Sequence, residues 1–171
     1  MSCNRLPIRL TELQINAVNE LLDLVAQRQL KDFGNITSDI KADGTLITSC
    51  DRWSDETIVQ GLSNITTDEG VLSEEGCQNV PDSSAYWVVD PLDGTTNFSA
   101  GIPYWAISMA RFVDGKPETA FLDVPALQKR ILAIRGKGVW LNGKQLNSKS
   151  RLSSQSACVS LCSRSIRILQ R

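Results

Sequence analysis

The chain contains no histidine. That excludes Ser-His-Asp and Cys-His nucleophilic catalysis and argues against a zinc site of the usual Cys/His kind. The remaining catalytic vocabulary is carboxylates, Thr, Ser, Lys and metal ions. Cysteine is sparse and scattered, at Cys3, Cys50, Cys77, Cys158 and Cys162. The number is odd and no Cys-x-x-Cys pair occurs, so reduced thiols are expected rather than a disulfide framework. No apolar run approaches the roughly 18 residues that a membrane helix needs. The segment from Met1 to Pro7 lacks the apolar core of a secretory signal. A cytoplasmic chain with no membrane partner is expected. An excess of one charge is also missing: 18 Lys and Arg face 19 Asp and Glu, for a formal net charge of −1. Without a basic stripe, nucleic acid is not an expected partner.

What is present is ordinary globular composition. The 171 residues are 42% hydrophobic and 22% charged, enough for one domain with a sizeable core. No internal repeat, linker or domain boundary is visible, so a single domain over 1–171 is expected.

Thr11-Glu12-Leu13-Gln14 has the form of a capping box. Behind it, Leu13, Ala17, Val18, Leu21, Leu22, Val25 and Leu30 recur at helical spacing and predict a helix from Thr11 to Leu30. Ile36 to Lys41 predicts an edge strand, and Asp43-Gly44 a turn. Thr48-Ser49-Cys50-Asp51 is a second capping box, opening a helix with Trp53, Ile58, Val59, Leu62 and Ile65 inward. Val71-Leu72 and Tyr86 to Val89 predict short strands. Ala106 to Phe112, Glu118 to Val124 and Arg130 to Arg135 predict longer ones, and residues 136–144 a glycine-punctuated hairpin. Ala157 to Leu161 is a further strand candidate after a polar stretch from Asn147. Two helices followed by an antiparallel-looking meander favour a layered α+β architecture. The apolar Ile166, Ile168 and Leu169 close to Arg171 suggest that part of a fold lies elsewhere.

The most informative stretch is Asp90-Pro91-Leu92-Asp93-Gly94-Thr95-Thr96-Asn97-Phe98. Two carboxylates leave a predicted strand end together, three residues apart across a tight turn. Carboxylates are hard oxygen ligands suited to Mg²⁺. The backbone N–H groups of a Gly-Thr turn at a helix start suit a phosphate. Asp51 at a helix start and Glu74-Glu75 after a short strand are also acidic residues at element ends. Carboxylates gathered in one cleft repel unless a cation lies between them. Each piece alone has a plainer reading: a solvated Glu pair, a capping Asp, an Asp-Gly turn.

The segment from Trp87 to Phe98 resembles the signature of the inositol monophosphatase family. Lys41 to Asp51 resembles its lysine-to-aspartate segment, and Leu72 to Gly76 its glutamate segment. Gly136-Lys137-Gly138 and Asn142-Gly143 also fit the family, so the resemblance covers the chain to about Leu161. It implies the layered αβαβα sandwich of the inositol monophosphatase and fructose-1,6-bisphosphatase type, here mainly its N-terminal half. It also implies a Mg²⁺-dependent phosphate monoester hydrolase acting on a small phosphorylated substrate such as an inositol phosphate, and a possible homodimer.

By the same resemblance, Glu74, Asp90, Asp93 and the Leu92 carbonyl bind metal. Leu92, Asp93, Gly94, Thr95 and Lys41 lie at the substrate phosphate. Asp51, Thr95 and Glu74 orient and deprotonate the attacking water. The family's second half carries a Trp-Asp-x-Ala-Ala-like segment whose Asp completes the second metal site. No Trp-Asp pair exists among Trp53, Trp87, Trp105 and Trp140. Two alternatives stand beside the inositol phosphate reading. One is a relative acting on 3′-phosphoadenosine nucleotides, histidinol phosphate or fructose bisphosphate; the other is an inactive metal-binding remnant.

Overall fold

A computed structural model describes residues 9–42, 44–76 and 79–146. Helix α1 (Glu12–Asp32) starts at the predicted capping box: the Thr11 hydroxyl oxygen accepts from the Gln14 N–H at 3.2 Å, and Gln14 Oε1 accepts from the Thr11 N–H at 3.0 Å. Its buried stripe is Val18, Leu22, Val25, Ala26 and Gln29. Leu13 and Leu30 do not join it; they are 80% and 47% exposed. The stripe steps by four and three residues, and both leucines fall on other sides of the helix. Helix α2 (Ser49–Ile65) also starts at its predicted box, on Thr48 and Asp51. Its far half buries Ile58 and Leu62, as the spacing predicts. Its first turns bury Asp51, Ser54 and Asp55, a polar end inside the fold.

Strands β1 (Ser38–Ile40) and β2 (Leu46–Thr48) pair antiparallel as a small ribbon. Strand β1 is shorter than the predicted Ile36 to Lys41, and no sequence pattern marks its partner β2. The main sheet holds β3 (Gly70–Ser73), β4 (Ala85–Asp93), β5 (Ala106–Val113), β6 (Lys116–Val124), β7 (Lys129–Ile134), β8 (Gly138–Leu141) and β9 (Lys144–Gln145), in that spatial order. From β4 onward every neighbour is antiparallel, which is the expected meander. The edge pair β3–β4 is parallel instead; a connection of about a dozen residues is what a parallel pair requires. The β8–β9 turn is Asn142-Gly143, both at positive φ (48° and 76°), the geometry favoured by two-residue hairpins. The strand expected over Ala157 to Leu161 lies outside the described residues.

One sheet face packs on the helices. Val18, Leu22 and Val25 of α1 and Ile58 and Leu62 of α2 meet Trp87, Val89, Ile107, Met109 and Phe121 of β4–β6. Buried aromatic and aliphatic side chains of this size contribute about 1.5–3 kcal/mol each. The same face buries Arg111, whose guanidinium pairs with Glu69 at 2.5 Å and Glu118 at 3.2 Å. The other face carries a half-buried row, including Tyr86, Val88, Ala110, Phe112, Ala120 and Leu122. The expected α+β class is what the chain adopts, as helices layered on a mixed sheet. Among the described residues, no helix is long and apolar enough to cross a membrane.

Candidate active site

Strand β4 was expected to end at Val89. It runs on to Asp93, carrying both aspartates, so the tight turn expected between them is part of the strand. Asp90 pairs with Ser108 and Asp93 with Ala106. Three steps on β4 therefore match two on β5, which is one inserted residue, a β-bulge. In an unbroken strand, residues three apart point to opposite faces. The inserted residue restores a common side. Burial follows it: Ala85, Trp87, Val89 and Pro91 alternate as buried, Leu92 breaks the alternation, and Asp90 and Asp93 are both half-buried. Pro91 has no N–H to lose from the ladder, which suits it to a bulge. Asp90 Oδ1 accepts from the Leu92 N–H at 3.2 Å across the irregularity.

Glu74 comes to this place through the parallel edge. Ser73 is in register with Val89, and the Glu74 N–H donates to the Val89 carbonyl at 3.1 Å. Glu74 therefore stands beside Asp90, and their carboxyl groups share a hydrogen bond. Burial, then the Glu74 carboxylate, push the Asp90 carboxyl up to about 9, with Asp93 adding to the effect.

Gly94 follows at φ +105° and caps a short helix α3 (Thr95–Ser99). A side chain there would meet the Tyr104 carbonyl at 3.2 Å and Trp105 at 3.4 Å. Beneath the turn, Phe98 meets Trp105 edge-on at 5.0 Å, and Phe33 stacks on Trp105 at 4.5 Å. The last residue of the motif thus anchors the loop in a small core of Cys50, Leu92, Phe98 and Trp105.

Asp51 is buried and held from two sides. Its Oδ2 accepts from the Thr48 hydroxyl and from the Thr48 N–H, the latter at 2.8 Å. Its Oδ1 accepts from the Thr95 hydroxyl at 2.8 Å, and that hydroxyl also lies 3.2 Å from the Leu92 carbonyl. The helix cap is therefore also the clamp that aims Asp51 at Thr95. Lys41 pairs with Glu75. Burial disfavours its charge, but the Glu75 bond and the charges of Glu75, Glu74 and Asp51 outweigh this and hold its pKa above the usual range. Burial raises the Glu75 carboxyl despite Lys41.

The structure thus sets Glu74 against Asp90, with Asp93 within electrostatic reach of Asp90, and joins Asp51, Thr95 and Leu92. It places Lys41 on Glu75, within electrostatic reach of Glu74 and Asp51. Among the described residues, no three acidic, Cys or His side chains converge into a ready cation cage. An open groove of about 670 Å³ between α1 and β7–β8 shares none of these residues.

Beside the site, Asp55 and Gln29 are buried polar residues that no sequence motif marks. Asp55, four residues after Asp51 on the same helix face, accepts from the Ser73 hydroxyl next to Glu74. Burial raises its carboxyl, with the Ser73 bond opposing. Gln29 bonds the Pro91 carbonyl at 2.8 Å. Its signal was present: it extends the Val18–Leu22–Val25 stripe, where a polar residue needs a buried partner.

Helices over one face of a mostly antiparallel sheet, with acidic element ends around a bulged strand, define a layered α+β chain of one known type. The fold is similar to the crystal structure of extragenic suppressor protein suhB from Bartonella henselae, with a TM-score of 0.73 and 29% identity over 80% of this chain and 55% of that one. The inositol monophosphatase family model matches residues 8–170, and the chain belongs to that family. It is 39% identical to a histidinol-phosphatase of Mycobacterium tuberculosis over 60% of this chain and 39% of that protein. It is 33% identical to an inositol-1-monophosphatase of Mesorhizobium japonicum over 80% of this chain and 55% of that protein. The chain spans about half, or less, of the length of these curated relatives.

Proposed function

We propose that this chain supplies the metal- and phosphate-binding part of a Mg²⁺-dependent phosphate monoester hydrolase. The observation that carries this is the Thr95 hydroxyl on Asp51 Oδ1 at 2.8 Å, beside the strand end that bears Asp90 and Asp93. The donors fit Mg²⁺. The Glu74 and Asp90 carboxyl groups touch, and such a pair keeps both charges only with a cation between them. Mg²⁺ commonly takes one or two carboxylates and keeps waters for the rest.

Glu74, Asp90, Asp93 and the Leu92 carbonyl would hold the metal. When bound, it would polarise the phosphate and lower the pKa of a coordinated water. The chain's own groups do the rest. Gly94 and Thr95 offer backbone N–H groups at the start of α3 to the phosphate. Thr95 Oγ1 accepts a proton from the attacking water and passes its own to Asp51 Oδ1. The Thr48 cap bonds keep that carboxylate oriented throughout. Lys41, tied to Glu75, supports the charge balance near the phosphate. Catalysis of this kind depends on positioning and charge stabilisation.

An inositol phosphate is the proposed substrate. Histidinol phosphate is the second reading, favoured by the 39% identity to a histidinol-phosphatase. Calorimetric Mg²⁺ titration tests the site: Asp90→Asn should weaken binding more than Asp51→Asn, and equal affinities would contradict the assignment. Phosphate release from inositol phosphate, histidinol phosphate, 3′-phosphoadenosine nucleotide and fructose bisphosphate then ranks the substrates. Mg²⁺ binding without release from any of them would favour a non-enzymatic metal-binding chain.

A further inference from the structure

Gln29 is fully buried on the core face of α1, and both ends of its amide are used. Nε2 donates to the Pro91 carbonyl at 2.8 Å and to Ser54 Oγ at 3.1 Å. Oε1 accepts from the Trp105 indole N–H at 3.0 Å. Chemistry fixes this orientation, because an indole N–H only donates and a peptide carbonyl only accepts. One side chain therefore joins α1, the first turns of α2, the bulge of β4 and the residue before β5. Pro91 is the residue between Asp90 and Leu92, within the register shift. A bulge interrupts the ladder bonds that define a regular strand. At this bulge the Pro91 carbonyl is held by Gln29 instead.

We propose that Gln29 is the positioning residue of the metal site: its hold on the Pro91 carbonyl sets the bulge that presents Asp90, the Leu92 carbonyl and Asp93 on one side. This rests on the reading of those groups as metal ligands. Gln29 itself touches no reacting atom and acts through Pro91. Partners bonded directly to a metal's ligands change metal affinity by about 10–100-fold when removed; Gln29 stands one residue further back, on the Pro91 carbonyl, so the low end of that range is expected.

The test compares wild-type chain with Gln29→Leu, Gln29→Met and a reference, Thr66→Val. Thr66→Val removes the acceptor of the Trp87 indole N–H, a buried bond of 3.0 Å in the main core. It perturbs stability without touching the bulge. Two quantities are read where all proteins are fully folded by circular dichroism: amide hydrogen exchange at Leu92 and Asp93, and Mn²⁺ affinity by electron paramagnetic resonance. In the Gln29 variants, exchange at these amides should accelerate by about tenfold or more, above any global change. Mn²⁺ affinity should fall by about tenfold. Thr66→Val should show neither change. If Gln29→Leu does not fold, the unbranched Gln29→Met carries the comparison.

Unchanged exchange at Leu92 and Asp93 would overturn the proposal, whatever Mn²⁺ does. So would accelerated exchange with wild-type Mn²⁺ affinity, or the same losses in Thr66→Val. A wild-type chain that binds no Mn²⁺, with local exchange still released by Gln29→Leu, would remove the metal reading and leave the hold on the bulge supported.

Discussion

Asp90→Asn should stabilise the metal-free chain. Burial and the Glu74 carboxylate push the Asp90 carboxyl up to about 9. In the unfolded chain the same group titrates at about 3.9. Between these values the folded state keeps a proton that the unfolded state has released. Stability therefore falls as pH rises across the window, by up to about 1.4 kcal/mol per pH unit. Below the window both states are protonated and the penalty is absent; above it the penalty is complete. At pH 7 the ceiling is about 4 kcal/mol, from roughly three pH units at that slope. The proton is shared with Glu74 and the carboxyl is only half-buried, so about 2 kcal/mol is the expected share. Asparagine keeps the shape. Its carbonyl can accept from the Leu92 N–H as Asp90 Oδ1 does at 3.2 Å, and its amide can donate to Glu74.

The assay is a thermal melt of both proteins in EDTA across this pH window, repeated with Mg²⁺. About 2 kcal/mol corresponds to about 4–8 °C for a domain of this size, with the variant melting higher at neutral pH. The difference should shrink towards acid pH. With Mg²⁺ the wild type should gain stability and the variant should not, since a ligand stabilises only the state that binds it. An Asn variant no more stable than wild type in EDTA at neutral pH, with the same pH slope, refutes the reasoning.

Thr95→Val removes the hydroxyl that Asp51 Oδ1 accepts at 2.8 Å. It should cost about 1–3 kcal/mol in urea unfolding, with Thr95→Ser keeping most of the stability. Gly94→Ala places a side chain at φ +105° against the Tyr104 carbonyl, and the same measurement should show a loss of about 1–3 kcal/mol. Arg111→Met strands Glu69 and Glu118 in the interior. A loss of about 3–5 kcal/mol is expected, and wild-type stability would contradict it.

The parts of the fold legible in the sequence were those set by local chemistry. Both capping boxes close where Thr11 and Thr48 stand, because a cap needs only residues three apart. The meander from β4 onward could be read from turns and alternation. The parallel edge β3 could not, because four residues carry no sign of which neighbour they meet. Leu13 and Leu30 misled for a related reason: periodicity marks apolar residues, while packing chooses which side of the helix is covered.

The site divides the same way. The acidic residues at element ends, and the Gly-Thr helix start, were visible as residue types. Their mutual placement came from two features that span the chain. The parallel register of Ser73 with Val89 sets Glu74 beside Asp90. The extra residue in β4 turns Asp93 to the side of Asp90. A plain strand through Asp-Pro-Leu-Asp would have sent the two aspartates to opposite faces. The spacing of three was therefore readable as a motif but not as a geometry. What makes it a geometry is the bulge, and the bulge carbonyl is held by Gln29 from a helix about sixty residues earlier, 62 positions by count. Asp55 has the same standing, accepting from the Ser73 hydroxyl beside Glu74. Each is a polar residue at an inward helical position, where an unpaired group would be costly. Such positions are where a sequence shows that a buried partner must exist without naming it.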